Sequence, residues 1–255
     1  MADLFVSSRL TLERAKHHIC DLERQIQPFI SKDAWTYIVE KDSDGTTNLH
    51  KVRFTRRLAP EVLGVLFDAA NNLRAALDQA GYAAAIASGK VEPKRTHFPF
   101  AVSAAELPNV IARKSKDLPP EILSLFCTFK PYKKGNRTLW ALNRLCNTKK
   151  HCTLVPLQLG RMRLSYGASC ETGLGGIDQN FIARWDPERY EVTLMRAAPE
   201  VRFTSDISFT FTIAIKSIEV LRDKPVIEVL DSLARKVEGI LTATEAECRR
   251  IGLIP

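Results

Sequence analysis

Arg144, Asn147 and His151 lie in the run Leu139-Trp-Ala-Leu-Asn-Arg-Leu-Cys-Asn-Thr-Lys-Lys-His151. If a helix continues through His151, seven steps of about 100° bring His151 within about 20° of Arg144, with Asn147 on the same face. An arginine, an amide and an imidazole so aligned can hold an anion and move a proton beside it. A second arrangement uses the same residues. His151 can end the helix, its imidazole bonding terminal carbonyls while Lys149 and Lys150 offset the helix dipole.

The earlier stretch Asp68 to Tyr82 repeats the theme. Asn71, Arg74, Asp78 and Tyr82 are spaced three, four and four apart and share one helix face beside a Leu/Ala stripe. Asp68, Asn72 and Gln79 form a polar strip alongside. Asn72, Arg74 and Asp78 thus compose either a hydrogen-bonded network in which Arg74 pairs with Asp78 or the polar wall of a pocket suited to phosphate or base.

Charge narrows the class of partner. The chain has 255 residues and a net charge of +8, yet from Ile122 to Cys170 there is no Asp or Glu. Lys130, Lys133, Lys134, Arg137, Arg144, Lys149, Lys150, Arg161 and Arg163 supply nine positive charges there, and the other residues sum to about −1. A stretch of one sign repels itself unless an anion sits near it, so RNA or another polyanion is the partner this pattern calls for. Lys130, Lys133, Lys134, Arg137, Lys149 and Lys150 are the candidate phosphate contacts. A solvated basic face without a partner is the plainer alternative.

Other chemistries lack their signatures. There is no Gly-x-Gly-x-x-Gly after a strand, Walker loop, Gly-x-Ser-x-Gly or His-Glu-x-x-His, and Gly173-Leu-Gly-Gly176 reads as a loop. His17 and His18 point about 100° apart on a helix, so with Cys20 and Asp21 they form no sound metal pair. No cofactor and no metal site is expected. The six cysteines follow no regular spacing and read as reduced core residues of a cytoplasmic protein. Arg9 interrupts the start before an apolar core accumulates, so neither a signal peptide nor a membrane association is expected.

The positioning elements follow from hydrophobic period. Leu12, Ala15, Ile19, Leu22, Ile26 and Phe29 mark a first helix ending near Pro28. Trp35, Tyr37 and Val39, then Val52 and Phe54, alternate about Asp42-Ser-Asp-Gly45 as a strand pair. Pro60 opens a long helix to about Ser88, Ser103-Ala-Ala-Glu106 has the form of a capping box, Pro119-Pro120 starts a short helix to about Cys127, and Thr138 is placed to cap another. After His151 the pattern turns to strands at 153–159, 161–166, 180–185 and 189–195, with strict alternation from Ile207 to Ile215. These predict an antiparallel sheet, and Pro225 then starts a closing helix that Gly252 ends. The order predicts an α+β fold. It has a mainly helical part with an inserted hairpin over 1–150, and an antiparallel sheet plus the C-terminal helix over 151–255, together one compact unit.

At both polar stretches the sequence resembles a family of uncharacterised bacterial proteins whose long helix reads Asp-x-x-His-Asn-Leu-Arg-x-Ala-Leu-Asp-His. Asp68, Asn72, Leu73, Arg74, Ala76, Leu77 and Asp78 match it, as do Phe98-Pro99, Pro131-Tyr132, Leu139, Trp140, Leu142, Asn147, Lys150 and His151 in later motifs. The likeness covers roughly residues 5 to 157. Asn71 and Gln79 stand where histidines are usual. Arg144 followed by His151 also resembles the Arg-x(4–6)-His signature of the HEPN superfamily of helical, often dimeric, metal-independent ribonucleases and RNA-binding domains of bacterial conflict systems. The resemblance implies proton transfer at the ribose 2′-hydroxyl by His151, phosphorane stabilisation by Arg144, and a homodimer. Gln79 cannot transfer that proton. A non-enzymatic interaction protein with an internal polar network is the competing class.

Overall fold

Alanine sets how closely the helices of the core pack. In the computed structural model, which describes residues 3–151, 157–165, 178, 180, 182–186, 188–201, 208–215, 221 and 224–255, helix α2 spans Glu61–Ala87. Its stripe Leu66, Ala70, Leu73, Leu77, Ala80 and Ala84 is wholly buried. Small side chains let neighbouring helices come close, and α2 packs against α5 (Arg137–His151) and α6 (Val226–Arg250). From α5 come Leu139, Leu142, Leu145 and Cys146, and from α6 Leu230, Leu233, Val237 and Leu241, all buried. Each large aliphatic so covered contributes about 1.5–3 kcal/mol of transfer free energy. Thr244, which interrupts the α6 stripe, is buried with its hydroxyl donating to the Ile240 carbonyl at 2.7 Å, so its polar group is satisfied within the helix.

The α+β class is as the sequence predicts, with six helices and a four-stranded antiparallel sheet among the described residues. Helix α1 spans Val6–Ile30 and runs two residues beyond Pro28, and it buries the expected stripe from Leu12 to Phe29. Helix α3 spans Leu107–Lys114 and α4 Pro120–Thr128. The Ser103 hydroxyl does accept the Glu106 N–H, at 3.4 Å, but the helix begins only at Leu107, so the expected capping box closes a turn instead. Thr138 does not cap α5. Asn136 does, its side-chain oxygen accepting the Leu139 N–H at 3.1 Å, the bond from cap to third helical residue that asparagine makes well.

Strand pairing departs from the expected order. Strands β1 (Trp35–Lys41) and β2 (Asn48–Phe54) form the predicted hairpin, but β2 also pairs with β5 (Glu191–Ala197), which pairs with β4 (Arg184–Asp186). The hairpin is therefore half of one sheet, ordered β1-β2-β5-β4, rather than a separate insertion. Strand β3 (Leu157–Ser165) runs on through Gly160 where two strands were expected, and it pairs with β6 (Ser208–Ile215) as a second, two-stranded sheet. Local alternation identifies strands but does not say which edges meet. A turn follows β4, where the Asp186 carboxylate takes the N–H groups of Glu188 and Arg189 at 2.9 and 3.1 Å.

The chain forms two compact units interleaved in sequence. One holds 1–23, 61–158 and 213–255, the other 24–60 and 159–212, so the division differs from a boundary at residue 150. The second unit has an aromatic cluster, with Phe29 stacked on Phe54 at 5.1 Å and Trp185 edge-on to Tyr190 at 5.0 Å. One sheet face carries ions instead. Glu191, 2% exposed, accepts from Lys51 at 3.0 Å and from the Arg53 guanidinium at 2.8 Å, while Glu40 takes Lys51 at 2.6 Å. Hydrogen bonds and charge from Lys51 and Arg53 hold the Glu40 carboxyl below its ordinary range, against some desolvation.

A candidate anion cleft

Asp78 and Arg74 face one cleft of the first unit, and each is held by a different neighbour. Arg74 Nη1 donates to Asn143 Oδ1 at 2.7 Å and to Asn147 Oδ1 at 3.2 Å, while the guanidinium carbon lies 5.2 Å from the centre of the Phe100 ring. Asn147 Nδ2 donates in turn to Asn143 Oδ1 at 3.2 Å. Both asparagines stand one turn apart on α5, so two amide oxygens and an aromatic face fix the arginine. Asp78 receives the Phe98 N–H at 2.9 Å and His97 Nδ1 at 3.1 Å.

The expected pairing of Arg74 with Asp78 is therefore corrected. Among the described residues no carboxylate lies within ion-pair distance of Arg74. Its hydrogen-bond partners are the neutral side chains of Asn143 and Asn147, so no direct ion pair offsets its charge. Asn72 takes no part in this network, because its amide donates to the Asp68 carbonyl at 2.7 Å. Gln79 keeps its side-chain oxygen buried without a described donor.

The segment 94–98 forms the opposite wall and is pinned on both sides. Asp117 accepts the N–H groups of Lys94 and Arg95 at 3.2 and 2.9 Å, and those bonds hold its carboxyl below the ordinary range. The His97 N–H donates to the Lys114 carbonyl at 3.0 Å and the Ser115 hydroxyl to the His97 carbonyl at 2.6 Å. Phe98 is buried against Phe100 and Phe126, with ring centres 5.0 and 4.8 Å away. Gly81 of α2 allows the approach, since a Cβ there would lie 2.2 Å from the Thr96 carbonyl oxygen. Ala101, Leu107 and Val110 anchor α3 below.

The resulting cleft has a volume of about 620 Å³, inside the range of small-ligand sites, about 300–1,000 Å³. Arg74, Lys94, Arg95, Arg113 and Lys114 line it against only two carboxylates, Asp78 and Glu106. Its charge favours anions. No family model, curated protein or solved structure matches this chain. The geometry alone therefore speaks for the site.

The residues expected to act together on α5 are divided. Asn147 faces the cleft, whereas Arg144 is exposed and does not line it. The Arg144 guanidinium sits 5.8 Å from the Trp140 ring centre, and Lys133 Nζ approaches the same ring at 5.5 Å. A rotation of about 60° between positions 144 and 147 on a helix accounts for the separation. Helix α5 does extend to His151, but the side chains of Lys149, Lys150 and His151 lie outside the described residues. Lys134 is exposed in the turn before α5. Lys130 and Arg137 line a second groove with Lys236, of about 520 Å³, which has no carboxylate in its wall.

Sequence reasoning missed Lys94, Arg95, His97, Arg113, Lys114 and Asn143. Two signals were present. Three of the four residues before the Phe98-Pro99 pair are basic or imidazole, and Asn143 stands four residues before Asn147, the spacing that puts two amides on one helix face. Histidines 17 and 18 are exposed and half-buried respectively, and among the described residues no three side chains cluster to hold a metal ion. Of the cysteines expected in the core, Cys146 and Cys248 are buried, but Cys20 is exposed on the outer side of α1. No helix among the described residues is long and apolar enough to cross a membrane.

Proposed function

We propose that the chain binds a phosphodiester polyanion, RNA foremost, along the cleft between α2, α5 and the 94–98 segment. The observation that carries this reading is Arg74, a half-buried guanidinium whose described partners are all neutral. A charge partly removed from water favours a counter-ion, and the planar fork of arginine suits a phosphate. Four more cations along the same walls extend the field beyond one phosphate. The exposed Lys133, Lys134 and Arg137, with Lys130 and Lys236, form a second group of cations at the start of α5 and the groove beside it.

Ribonuclease activity of the HEPN kind is the enzymatic form of this reading, with Arg144 and His151 as its residues, whereas Asn147 faces the cleft and holds Arg74. The continuation of α5 to His151 favours it, because it keeps His151 on the helix face of Arg144. A cytoplasmic location, a place in a bacterial conflict or defence system and a homodimer belong to the same proposal. An interaction protein without chemistry is the alternative, and the Arg74, Asn143 and Asn147 network supplies the internal polar contacts it requires.

Fluorescence anisotropy with labelled single-stranded RNA tests the binding site. Replacing Arg95, Arg113 and Lys114 by Ser should weaken binding at least tenfold at low salt while the fold is kept. Equal affinity of the triple variant and the parent places RNA elsewhere, and absence of RNA binding by the parent at low salt ends the reading.

A further inference from the structure

Within the cleft, one pair of residues does more than the binding reading requires. Asp78 uses Oδ1 to accept the Phe98 N–H, which by itself ties the 94–98 segment to α2. Its Oδ2 serves a second group, His97 Nδ1 at 3.1 Å, on a side chain that is 55% exposed and lines the cleft. A carboxylate only accepts hydrogen bonds, so beside Asp78 the proton sits on Nδ1, and in the neutral ring Nε2 then presents a lone pair. Among the described residues Nε2 has no partner. The backbone of His97 is fixed by Lys114 and Ser115, so the ring is set on a rigid base.

We propose that His97, oriented by Asp78, is the general base of this cleft and that with Arg74 it cleaves RNA by transesterification at the ribose 2′-hydroxyl. The inference rests on the polyanion reading above and names its reactive group. RNA fits because the nucleophile lies beside the phosphate in the substrate itself, leaving the protein to remove a proton and stabilise charge. His97 Nε2 takes the 2′-hydroxyl proton as the 2′-oxygen forms its bond to phosphorus. The bond from phosphorus to the 5′-oxygen breaks, and water protonates that oxygen. The imidazolium then returns its proton to the hydroxide. The products are a 2′,3′-cyclic phosphate and a 5′-hydroxyl end, with nothing oxidised or reduced. Arg74, held by Asn143 and Asn147, faces the added negative charge of the phosphorane. Asp78 is a positioning residue, since it fixes the tautomer and angle of the ring without touching substrate.

The test uses labelled single-stranded RNA for cleavage and the same sequence with 2′-O-methyl riboses for binding alone. His97→Asn keeps an amide N–H where Nδ1 stood, so the tie to Asp78 survives while the base is removed. The parent should yield 2′,3′-cyclic phosphate ends. His97→Asn should cut at least 100-fold more slowly with affinity for the methylated RNA within about twofold, consistent with the size of general-base contributions. Asp78→Asn should lower kcat with KM unchanged. A parent that binds the methylated RNA and leaves the ribose form intact overturns this inference and spares the binding reading, as does a His97→Asn variant that cuts at the parental rate. A parent that does not bind the methylated RNA at low salt overturns both.

Discussion

Arg74 and Asp78 stand one turn apart on α2 and face the same cleft, yet they do not pair. The arginine reaches across to two asparagines of α5, and the aspartate reaches to the 94–98 segment. Each helix-to-wall connection is thereby made once, and the guanidinium stays free to meet an anion.

A double-mutant cycle reads this separation. Arg74→Ala combined with Asp78→Ala should show a coupling energy below about 0.5 kcal/mol, as expected of residues with no shared partner. Arg74→Ala combined with Asn143→Ala should show about 0.5–2 kcal/mol, since they are hydrogen-bonded at 2.7 Å. Denaturant melts of the three single variants, the two double variants and the parent measure both numbers. A larger coupling for Arg74 with Asp78 than with Asn143 would restore the ion pair that the sequence spacing suggested.

Glycine positions on α2 should respond in opposite directions. Gly81→Ala would drive a Cβ to 2.2 Å from the Thr96 carbonyl oxygen and should destabilise by about 1–3 kcal/mol, the usual size of overpacking. Gly64 has nothing within 4 Å of the same atom, so Gly64→Ala should stabilise the helix by about 0.5–1 kcal/mol. Melting temperatures settle the signs, and a neutral Gly81→Ala would mean that the 94–98 segment is not seated closely on α2.

The second unit should carry a pH dependence of its own. His50 is buried and its ring bonds the Tyr37 hydroxyl; burial keeps the imidazole below its ordinary value and pushes the phenol up to about 12. The unfolded chain takes up a proton on this histidine near pH 6.5 while the folded chain resists it, so stability falls as pH drops below about 6.5. At the alkaline end the unfolded tyrosine loses its proton near pH 10 before the folded one does, and stability falls again above about 10. Thermal melts from pH 5 to 11 should show both losses. His50→Gln should flatten the acid limb, and Tyr37→Phe the alkaline limb; an unchanged profile in both variants would contradict the buried pair.

What the sequence makes legible depends on the range over which its signals act. The stripe of α2 is plain because Leu66, Leu73 and Leu77 repeat at the helix period, and the α+β class follows from the order of such patterns. The meeting of β2 with β5 is not, because Lys51 and Glu191 are 140 residues apart and nothing local records their contact. The site was legible in pieces for the same reason. Arg74, Asp78 and Asn147 stand out by helical spacing, whereas the partners that give them their roles, Asn143 and His97, come from other elements. Helical spacing puts Arg144 near Asn147 but leaves about 60° between them, enough to turn one toward Trp140 and the other into the cleft.

The salt dependence of RNA binding tests the central claim most directly. If five cations of the cleft meet phosphates, log Kd against log salt for single-stranded RNA should have a slope of magnitude about 2 to 4, near 0.7 for each neutralised phosphate. Replacing Arg95, Arg113 and Lys114 by Ser should lower that magnitude by about 2. A parent that binds no RNA at low salt, or a triple variant with the parental slope, would contradict the account.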